Sequence, residues 1–175
     1  MDTSNDVIKQ IQSGEGKSFW VGTSLVKCKA ESVIIHGRYS LFELIDQPQN
    51  GPPRHVHHRD YEAYYILEGK YEIYRANEPP TKATTGSFLY FPQGVIHTYK
   101  NVGKAPGRML VVNTRAGLER FVEEVGQPAT DTSSPPTLAG PPDFGKMIET
   151  ARKYDIEIIG PVILKLYKDQ EKCVE

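Results

Sequence analysis

From Ser18 onward, short runs of β-branched and aromatic residues alternate with turns that contain glycine or proline. The runs SFWVGTSLVKC and SVIIHGRYSLFELI are each interrupted by a glycine, and the runs EAYYIL, KYEIYRA, SFLYF and GRMLVVNT follow further along. A spacing of roughly eight to twelve residues predicts about nine strands in an antiparallel sandwich or barrel. Strands do not alternate with helices, which disfavours a doubly wound fold. The pattern therefore predicts an all-β fold.

A tight hairpin is predicted where the runs EAYYIL and KYEIYRA meet. Only Glu68 and Gly69 separate them, and glycine supplies the positive φ that a tight turn requires. A polar loop and the turn Pro92-Gln93-Gly94 then delimit the next strands.

Beyond Thr114 the pattern changes from that of strands to that of helices. Leu118, Phe121 and Val122 fall at i, i+3 and i+4, which predicts a short helix with one apolar face. A connector rich in Pro, Ser and Thr follows, with too few large apolar side chains to form a core.

A second helix is predicted from Asp143, a residue type that caps helix N-termini, through Tyr154. Met147, Ile148 and Ala151 would form its apolar side. The run IEIIGPVIL then predicts one last strand or extended arm, and the polar sequence after it predicts a frayed tail.

The chain therefore divides into four segments within one domain of 175 residues. An N-terminal extension covers residues 1–16, and a β-barrel covers residues 17–115. A helical and extended segment covers residues 116–163, and a polar tail covers residues 164–175. The predicted helices are too short to be stable alone, so we expect the third segment to pack on the barrel or across a dimer partner.

The charge of the chain limits the expected partners, and its cysteine content indicates the expected compartment. The 21 Lys and Arg residues balance 22 Asp and Glu residues, the formal net charge is -1, and no run of five like charges occurs. Phosphate recognition needs clustered basic residues, so neither nucleic acid nor an anionic membrane is expected as a partner. Cys28 and Cys173 form no disulfide framework, and no signal peptide or long apolar run occurs. We therefore expect a cytoplasmic protein.

Two stretches carry residues that bind metals. In PPRHVHHRDYEAYYILEG, His55 and His57 alternate and Glu62 follows; in GSFLYFPQGVIHTYKN, His97 follows a Pro-x-Gly turn. Side chains at i and i+2 of a strand leave one face about 7 Å apart, so both imidazoles of the first stretch can face one ion. An antiparallel neighbour can bring the carboxylate beside them. An isolated H-x-H pattern often arises by chance on exposed strands, so the prediction of a metal site depends on the four residues together.

Three imidazoles and one carboxylate suit one divalent transition metal. On a five- or six-coordinate ion they leave one or two positions open for water, O2 or a small-molecule substrate. Iron, manganese, nickel, copper and zinc all accept these ligands, so the sequence does not identify the metal.

The same stretches resemble the two signature motifs of the cupin superfamily. The second motif, G-x5-P-x-G-x2-H-x3-N, matches at every position, and the first keeps H-x-H-x4-E-x6-G. Three residues instead of five separate the leading glycine of the first motif from the first histidine, and two of the three are prolines. The residues that carry the resemblance are Gly51, His55, His57, Glu62 and Gly69 in the first motif and Gly86, Pro92, Gly94, His97 and Asn101 in the second.

Residues 18–161 are similar to small, single-domain cupins described as quercetin 2,3-dioxygenase-like. The resemblance implies a double-stranded β-helix, or jelly-roll barrel, with short C-terminal helices, a metal in its mouth and often a homodimer. It implies that His55, His57, Glu62 and His97 are the metal ligands. Similarity to flavonol dioxygenases further implies that Glu62 takes a proton from the substrate.

Aromatic residues near the two stretches have two interpretations. Tyr64, Phe88, Tyr90 and Tyr99 would line a cavity suited to a planar organic substrate. Alternatively, they fill the core of the barrel.

Four other polar residues have plainer interpretations. By strand alternation, His58 points off the ligand face and is expected at the surface. His36 is expected in solvent near a turn. Arg54 is expected to be solvated rather than to steer an anionic substrate. We expect Asn101 to form hydrogen bonds at a strand end rather than to act in catalysis.

The sequence thus favours a metal-dependent oxidoreductase of the dioxygenase type, acting on a small aromatic or enolisable organic substrate. Two alternatives remain open: a non-catalytic cupin that binds a metal or small molecule, and an O2-independent, metal-dependent isomerase. A fold resemblance alone does not supply the substrate.

Overall fold

The computed structural model describes residues 8–75, 78–137 and 143–160. These residues form twelve strands and two helices, so the all-β prediction is confirmed. The predicted polar tail and the end of the last predicted strand lie outside the described residues. The strands are β1 (Ser18–Val21), β2 (Ser24–Ala30), β3 (Tyr39–Asp46), β4 (Arg54–His57), β5 (Glu62–Glu68), β6 (Lys70–Arg75), β7 (Thr81–Thr84), β8 (Phe88–Phe91), β9 (His97–Asn101), β10 (Gly107–Thr114), β11 (Gln127–Pro128) and β12 (Ile156–Gly160). The helices are α1 (Leu118–Val125) and α2 (Phe144–Lys153).

Two antiparallel sheets form the double-stranded β-helix. The larger sheet has the order β11-β1-β2-β3-β10-β5-β8, and the smaller has the order β12-β4-β9-β6-β7. The core draws on both sheets: Phe42, Ile66 and Met109 come from the larger one, and Tyr71 and Ile73 come from the smaller one. Each of these side chains is at most 1% exposed. The alternation of apolar residues along the strands therefore defines the inner face of the barrel.

The predicted hairpin at Gly69 is wrong. Strands β5 and β6 follow one another along the chain but lie in different sheets, and each pairs with other strands. Gly69 does have a positive φ, of 101°, and it turns the chain from one sheet into the other. A Cβ on Gly69 would lie 3.0 Å from the Cα of Gly107, so this corner is also a close approach of two backbones.

The strand expected within the run SVIIHGR does not form. Residues 32–37 form turns, and Val33 is 84% exposed. Local hydrogen bonds from the Ile34 N–H to the Glu31 carbonyl and from the Gly37 N–H to the Ser32 carbonyl hold the turns. These bonds satisfy backbone groups that a strand would pair with a neighbour, so the β-branched residues here do not extend the sheet.

The predicted first helix packs on the barrel along its apolar face. Val122 belongs to the core, and Leu118 and Phe121 pack against it. A buried carboxylate, that of Glu119, fixes the start of the helix, because it accepts hydrogen bonds from the Ser40 hydroxyl at 2.6 Å and from backbone N–H groups. Among the described residues, no helix is long and apolar enough to cross a membrane.

The predicted second helix begins and ends as expected. Asp143 caps α2 by accepting a hydrogen bond from the Lys146 N–H at 2.9 Å, and Tyr154 is the C-cap. The Tyr154 hydroxyl donates to Glu124 of α1 at 2.6 Å, which joins the two helices. The following strand, β12, pairs with β4 and sets Ile156 opposite His57.

Candidate metal centre

The four predicted ligands converge between the two sheets. His55 and His57 lie on β4, and His97 lies on the neighbouring strand β9, directly opposite His55. Glu62 begins β5 in the facing sheet. One nitrogen or carboxylate oxygen of each residue lies within 4.8 Å of the others. The structure therefore brings together the four residues that the spacing of the motifs predicts.

One carboxylate oxygen of Glu62 faces the imidazoles. Its Oε2 atom lies 2.8 Å from Nε2 of His97 and 3.6 Å from Nε2 of His57. The Tyr64 hydroxyl donates to the same oxygen at 2.8 Å, and Asn113 donates to the other oxygen, Oε1, at 3.3 Å. The carboxylate is thus held on both oxygens by side chains from two strands.

Backbone carbonyls orient two of the imidazoles. Nδ1 of His55 lies 2.9 Å from the Pro53 carbonyl oxygen, and Nδ1 of His97 lies 3.0 Å from the Val95 carbonyl oxygen. A carbonyl oxygen only accepts, so each Nδ1 carries the proton. Each ring therefore turns its Nε2 atom towards the centre, as is usual for ligands that bind a metal.

The third imidazole, that of His57, has no hydrogen-bond partner among the described residues. Both ring nitrogens of His57 are buried and accept or donate no hydrogen bond within the described chain. A buried polar group in this condition costs on the order of 1–3 kcal/mol. An ion would satisfy one of these nitrogens, and the set of three imidazoles and a carboxylate fits a divalent transition metal.

Electrostatics keep Glu62 and His55 in the forms that bind metals. Burial alone would raise the pKa of Glu62, but the His57 and His97 imidazoles outweigh it, and the net pKa lies below the ordinary value. Burial lowers the pKa of His55 to about 3. Burial also opposes protonation of His97, but the hydrogen bond with Glu62 raises its pKa overall. The carboxylate is therefore ionised and His55 is neutral at physiological pH.

A cavity of about 370 Å³ opens beside the metal centre and is lined by three of the ligand candidates, His55, His57 and Glu62. It is lined mainly by apolar side chains, and none of the described residues that line it is Lys or Arg. Both sheets and the C-terminal helices contribute to the wall. Representative lining residues are Phe42, Val111, Phe121, Met147, Ile156 and Ile158.

Two of the four predicted pocket aromatics lie in this cavity. Tyr64 and Tyr99 line it and are 2% and 3% exposed. Phe88 and Tyr90 are 66% and 55% exposed and lie outside it, contrary to the expectation from sequence. Side chains alternate along β8, and the less exposed positions are Leu89 and Phe91 rather than Phe88 and Tyr90.

An aromatic residue that the sequence interpretation missed is Phe91. It pairs with Glu62 across the strands, and its ring stacks on the His97 imidazole with centroids 4.3 Å apart. The sequence position of Phe91 could have indicated this contact. Phe91 ends β8 directly before the turn that leads to His97, so its side chain lies close to that ligand.

The other polar residues lie where the sequence predicts. His58 is exposed and pairs with Glu157, and His36 is exposed in a turn. Arg54 does not line the cavity. The Asn101 side chain donates to the backbone carbonyls of Asp46 and Ala105, which confirms a structural role.

Comparison with known proteins bears on the fold. Residues 42–113 match the family of cupin domains (Cupin_2), and this range includes all four ligand candidates. The barrel thus has the fold of a cupin domain, and its residues 42–113 are similar to that family. The chain is 42% identical over 62 residues to germin-like protein subfamily 2 member 2 from Arabidopsis thaliana. The match spans 33% of this chain and only 28% of the plant protein.

Solved structures share the architecture at low sequence identity. A predicted oxalate decarboxylase from Thermotoga maritima is 17% identical, with a TM-score of 0.56 over 61% of this chain and 99% of the other. The polyketide cyclase RemF from Streptomyces resistomycificus is 18% identical, with a TM-score of 0.56 over 74% of this chain and 90% of the other. At such identities the likeness shows the fold alone, and the cupin fold does not select a reaction.

Proposed function

We propose that this cupin is a metal-dependent oxidoreductase of the dioxygenase type, acting on a small, largely apolar aromatic or enolisable molecule. The observation that carries the proposal is the wall of the cavity beside the metal centre. That wall is apolar, and the described residues that line it include neither Lys nor Arg. Apolar and aromatic walls with few polar groups are typical of sites for hydrophobic organic ligands.

The same wall disfavours strongly charged substrates. Dicarboxylates and phosphate esters are held in proteins by Arg and Lys, which form charge-assisted hydrogen bonds with them. Within the described part of the cavity such a substrate would lose its hydration and gain no cation besides a bound metal. We therefore infer a neutral substrate.

His55, His57, Glu62 and His97 would hold the ion. A divalent metal, when bound there, supplies a Lewis acid that makes a substrate hydroxyl or enol more acidic. The ionised Glu62 carboxylate can accept that proton at Oε2, which faces the centre. Donors on both carboxylate oxygens keep it in place, and the apolar wall excludes water from the reacting groups.

The test is metal content followed by O2 uptake. Freshly purified protein is subjected to elemental analysis, and O2 consumption is then recorded with a flavonol, a catechol and a β-diketone. We expect bound transition metal, and uptake with at least one of the three that stops on chelation and returns when the metal is restored.

Two control variants sharpen this test. His57→Ala should lose both metal and uptake, whereas His58→Ala, at the adjacent exposed position, should keep both. Turnover without O2 would show an isomerase instead, and bound metal without any turnover would show a binding protein; either result would overturn the dioxygenase proposal.

A further inference from the structure

The cavity has a second polar point besides the metal centre. Apart from His55, His57, Glu62 and the two tyrosines Tyr64 and Tyr99, the described side chains with hydrogen-bonding groups that line it are those of Ser24 and Asn50. The rest of the described wall is apolar. A lone polar pair in an apolar cavity is the kind of feature that fixes the orientation of a ligand.

This pair lies at the far end of β9 from the ligands. His97 begins that strand and Asn101 ends it, and four residues of strand span roughly 13 Å. The backbone of Asn50 is joined to the far end, because the Asn101 N–H donates to the Asn50 carbonyl at 2.9 Å. A ligand that reaches from the metal to this point is therefore elongated.

The directions of the hydrogen bonds show what the pair offers. The Ser24 hydroxyl donates to the buried Asp46 carboxylate at 2.5 Å and accepts from the Asn50 amide at 2.7 Å. A hydroxyl has one hydrogen and two lone pairs, so one lone pair of Ser24 stays free. Oδ1 of Asn50 accepts no hydrogen bond from the described residues. The pair therefore presents acceptors to the cavity, with a carboxylate behind them that repels anions.

The loop that carries Asn50 packs closely against β9. A Cβ on Gly51 would lie 1.9 Å from the carbonyl oxygen of Tyr99, so only glycine lets the loop lie this close to β9. The next carbonyl, of Pro52, accepts from the Thr98 hydroxyl at 2.6 Å. The carbonyl of Pro53 then orients His55. The shortened approach from Gly51 to the first ligand thus couples the metal centre to the position of Asn50.

We propose that Ser24 and Asn50 recognise the end of the substrate remote from the metal, and that this end carries an O–H or N–H donor on a neutral, largely apolar body. The inference rests on the proposed function in one respect, that the cavity holds the substrate. It adds a preference for a particular group at the remote end of the substrate, which the metal ligands do not contact.

The experiment compares two probes of nearly equal shape, 4-hydroxybiphenyl and 4-methylbiphenyl. Their affinities for the full chain, treated with chelator, are measured by ligand-observed NMR titration. One net hydrogen bond predicts that the hydroxyl compound binds about tenfold more tightly. We expect Asn50→Leu and Ser24→Ala each to remove most of that preference, while the affinity for the methyl compound changes by less than about twofold.

Ser13→Ala is the matched control, since Ser13 is exposed and lies outside the cavity. Its preference should equal that of the wild type. Because Ser24→Ala also removes a partner of buried Asp46, Asn50→Leu decides the question if the serine variant does not fold. Equal affinities in the wild type, a preference that persists in Asn50→Leu, or no binding of either probe would overturn the proposal.

The measurement involves neither bound metal nor turnover, so it separates the two proposals. A lack of O2 uptake together with an Asn50-dependent preference would refute the dioxygenase alone. Uptake together with an Asn50-independent preference would refute the recognition point alone.

Discussion

The Tyr64 hydroxyl donates a hydrogen bond to Oε2 of Glu62 at 2.8 Å, although the two residues are only two positions apart on one strand. Both side chains leave the inner face of β5, and the tyrosine turns back along the strand to reach the carboxylate. The hydroxyl is also 3.4 Å from Nε2 of His97. A single buried phenol therefore helps to position two of the four ligand candidates.

Tyr64→Phe should weaken metal binding without unfolding the barrel. The ring that fills the core is retained, and only the donor to Glu62 is lost. Removal of such an outer partner typically costs 10- to 100-fold in metal affinity, and we expect a loss in that range. The measurement is a Zn²⁺ titration against a competing chelator. Tyr65→Phe, on the exposed side of the same strand, is the control, and equal affinities for the two variants would contradict the role of Tyr64.

His57→Leu should abolish metal binding and leave the metal-free protein at least as stable as the wild type. The leucine is an apolar side chain of similar size, and it replaces two buried nitrogens that form no hydrogen bond with the described part of the chain. His58→Leu, at an exposed neighbouring position, should keep both metal and stability. Urea denaturation after chelation and elemental analysis provide the two measurements. A marked loss of metal-free stability in His57→Leu would show that the imidazole has a structural partner.

Asp46 should make the stability of the protein fall as pH rises. Burial raises the pKa of its carboxyl to about 6, despite the hydrogen bond from Ser24. The folded state therefore binds the proton more tightly than the unfolded chain does. The contribution of this group to the unfolding free energy is fully present below about pH 4 and is lost as pH rises through about 6.

Asp46→Asn removes that titration. The difference in unfolding free energy between wild type and variant should change by about 3 kcal/mol between pH 4 and pH 7.5, with the wild type losing stability relative to the variant. Urea denaturation across this range measures it. Parallel stability curves would mean that the carboxyl titrates alike in the folded and unfolded states.

Phe91→Ala should destabilise the barrel and disturb the metal centre. The side chain is 4% exposed and stacks on His97, and a buried Phe→Ala change typically costs 3–5 kcal/mol. Phe88→Ala, on the same strand but 66% exposed, should stay within about 0.5 kcal/mol of the wild type. Thermal unfolding distinguishes the two. Similar losses at both positions would place Phe88 in a buried environment instead.

Glu119→Gln should loosen α1 from the barrel. The carboxylate accepts hydrogen bonds from the Ser32 N–H, the Ser40 hydroxyl and the Gly117 N–H, and an amide offers only one acceptor oxygen. We expect a loss of about 1–3 kcal/mol in unfolding free energy. Glu123→Gln on the same helix interrupts only a pair with the exposed Lys17 and should cost less than about 1 kcal/mol. If both variants lost the same unfolding free energy, the loss of a negative charge on the helix, rather than the buried hydrogen bonds of Glu119, would explain the effect.

The ligands were predictable because their information is local. The alternation of His55 and His57 and the short distance to Glu62 fix which faces these residues share, whatever else the chain does. Cupin-type spacing then located His97. The N-cap of α2 was predictable for the same reason, because Asp143 directly precedes the helix that it caps.

Other features depend on contacts that no local pattern contains. At Gly69 the pattern predicts a turn, but whether β5 and β6 pair or separate into two sheets depends on strands β9 and β10, which come later. For Phe88 and Tyr90 the alternation was evident, but its phase is set by the pairing of β8 with β5. Residues of α1, α2 and β12 complete the cavity wall. The sequence predicted that this segment packs on the barrel or across a dimer partner, but not that it lines the cavity.

The place of β12 in the smaller sheet has a consequence for biosynthesis. This strand covers the outer edge of β4 and brings Ile156 and Ile158 to the cavity, yet it follows all four ligand candidates in the chain. Because domains form as the chain emerges from the ribosome, His97 is available before α2 and β12 exist. The order of the chain thus places all four ligand candidates ahead of the strand that completes the apolar wall of the cavity.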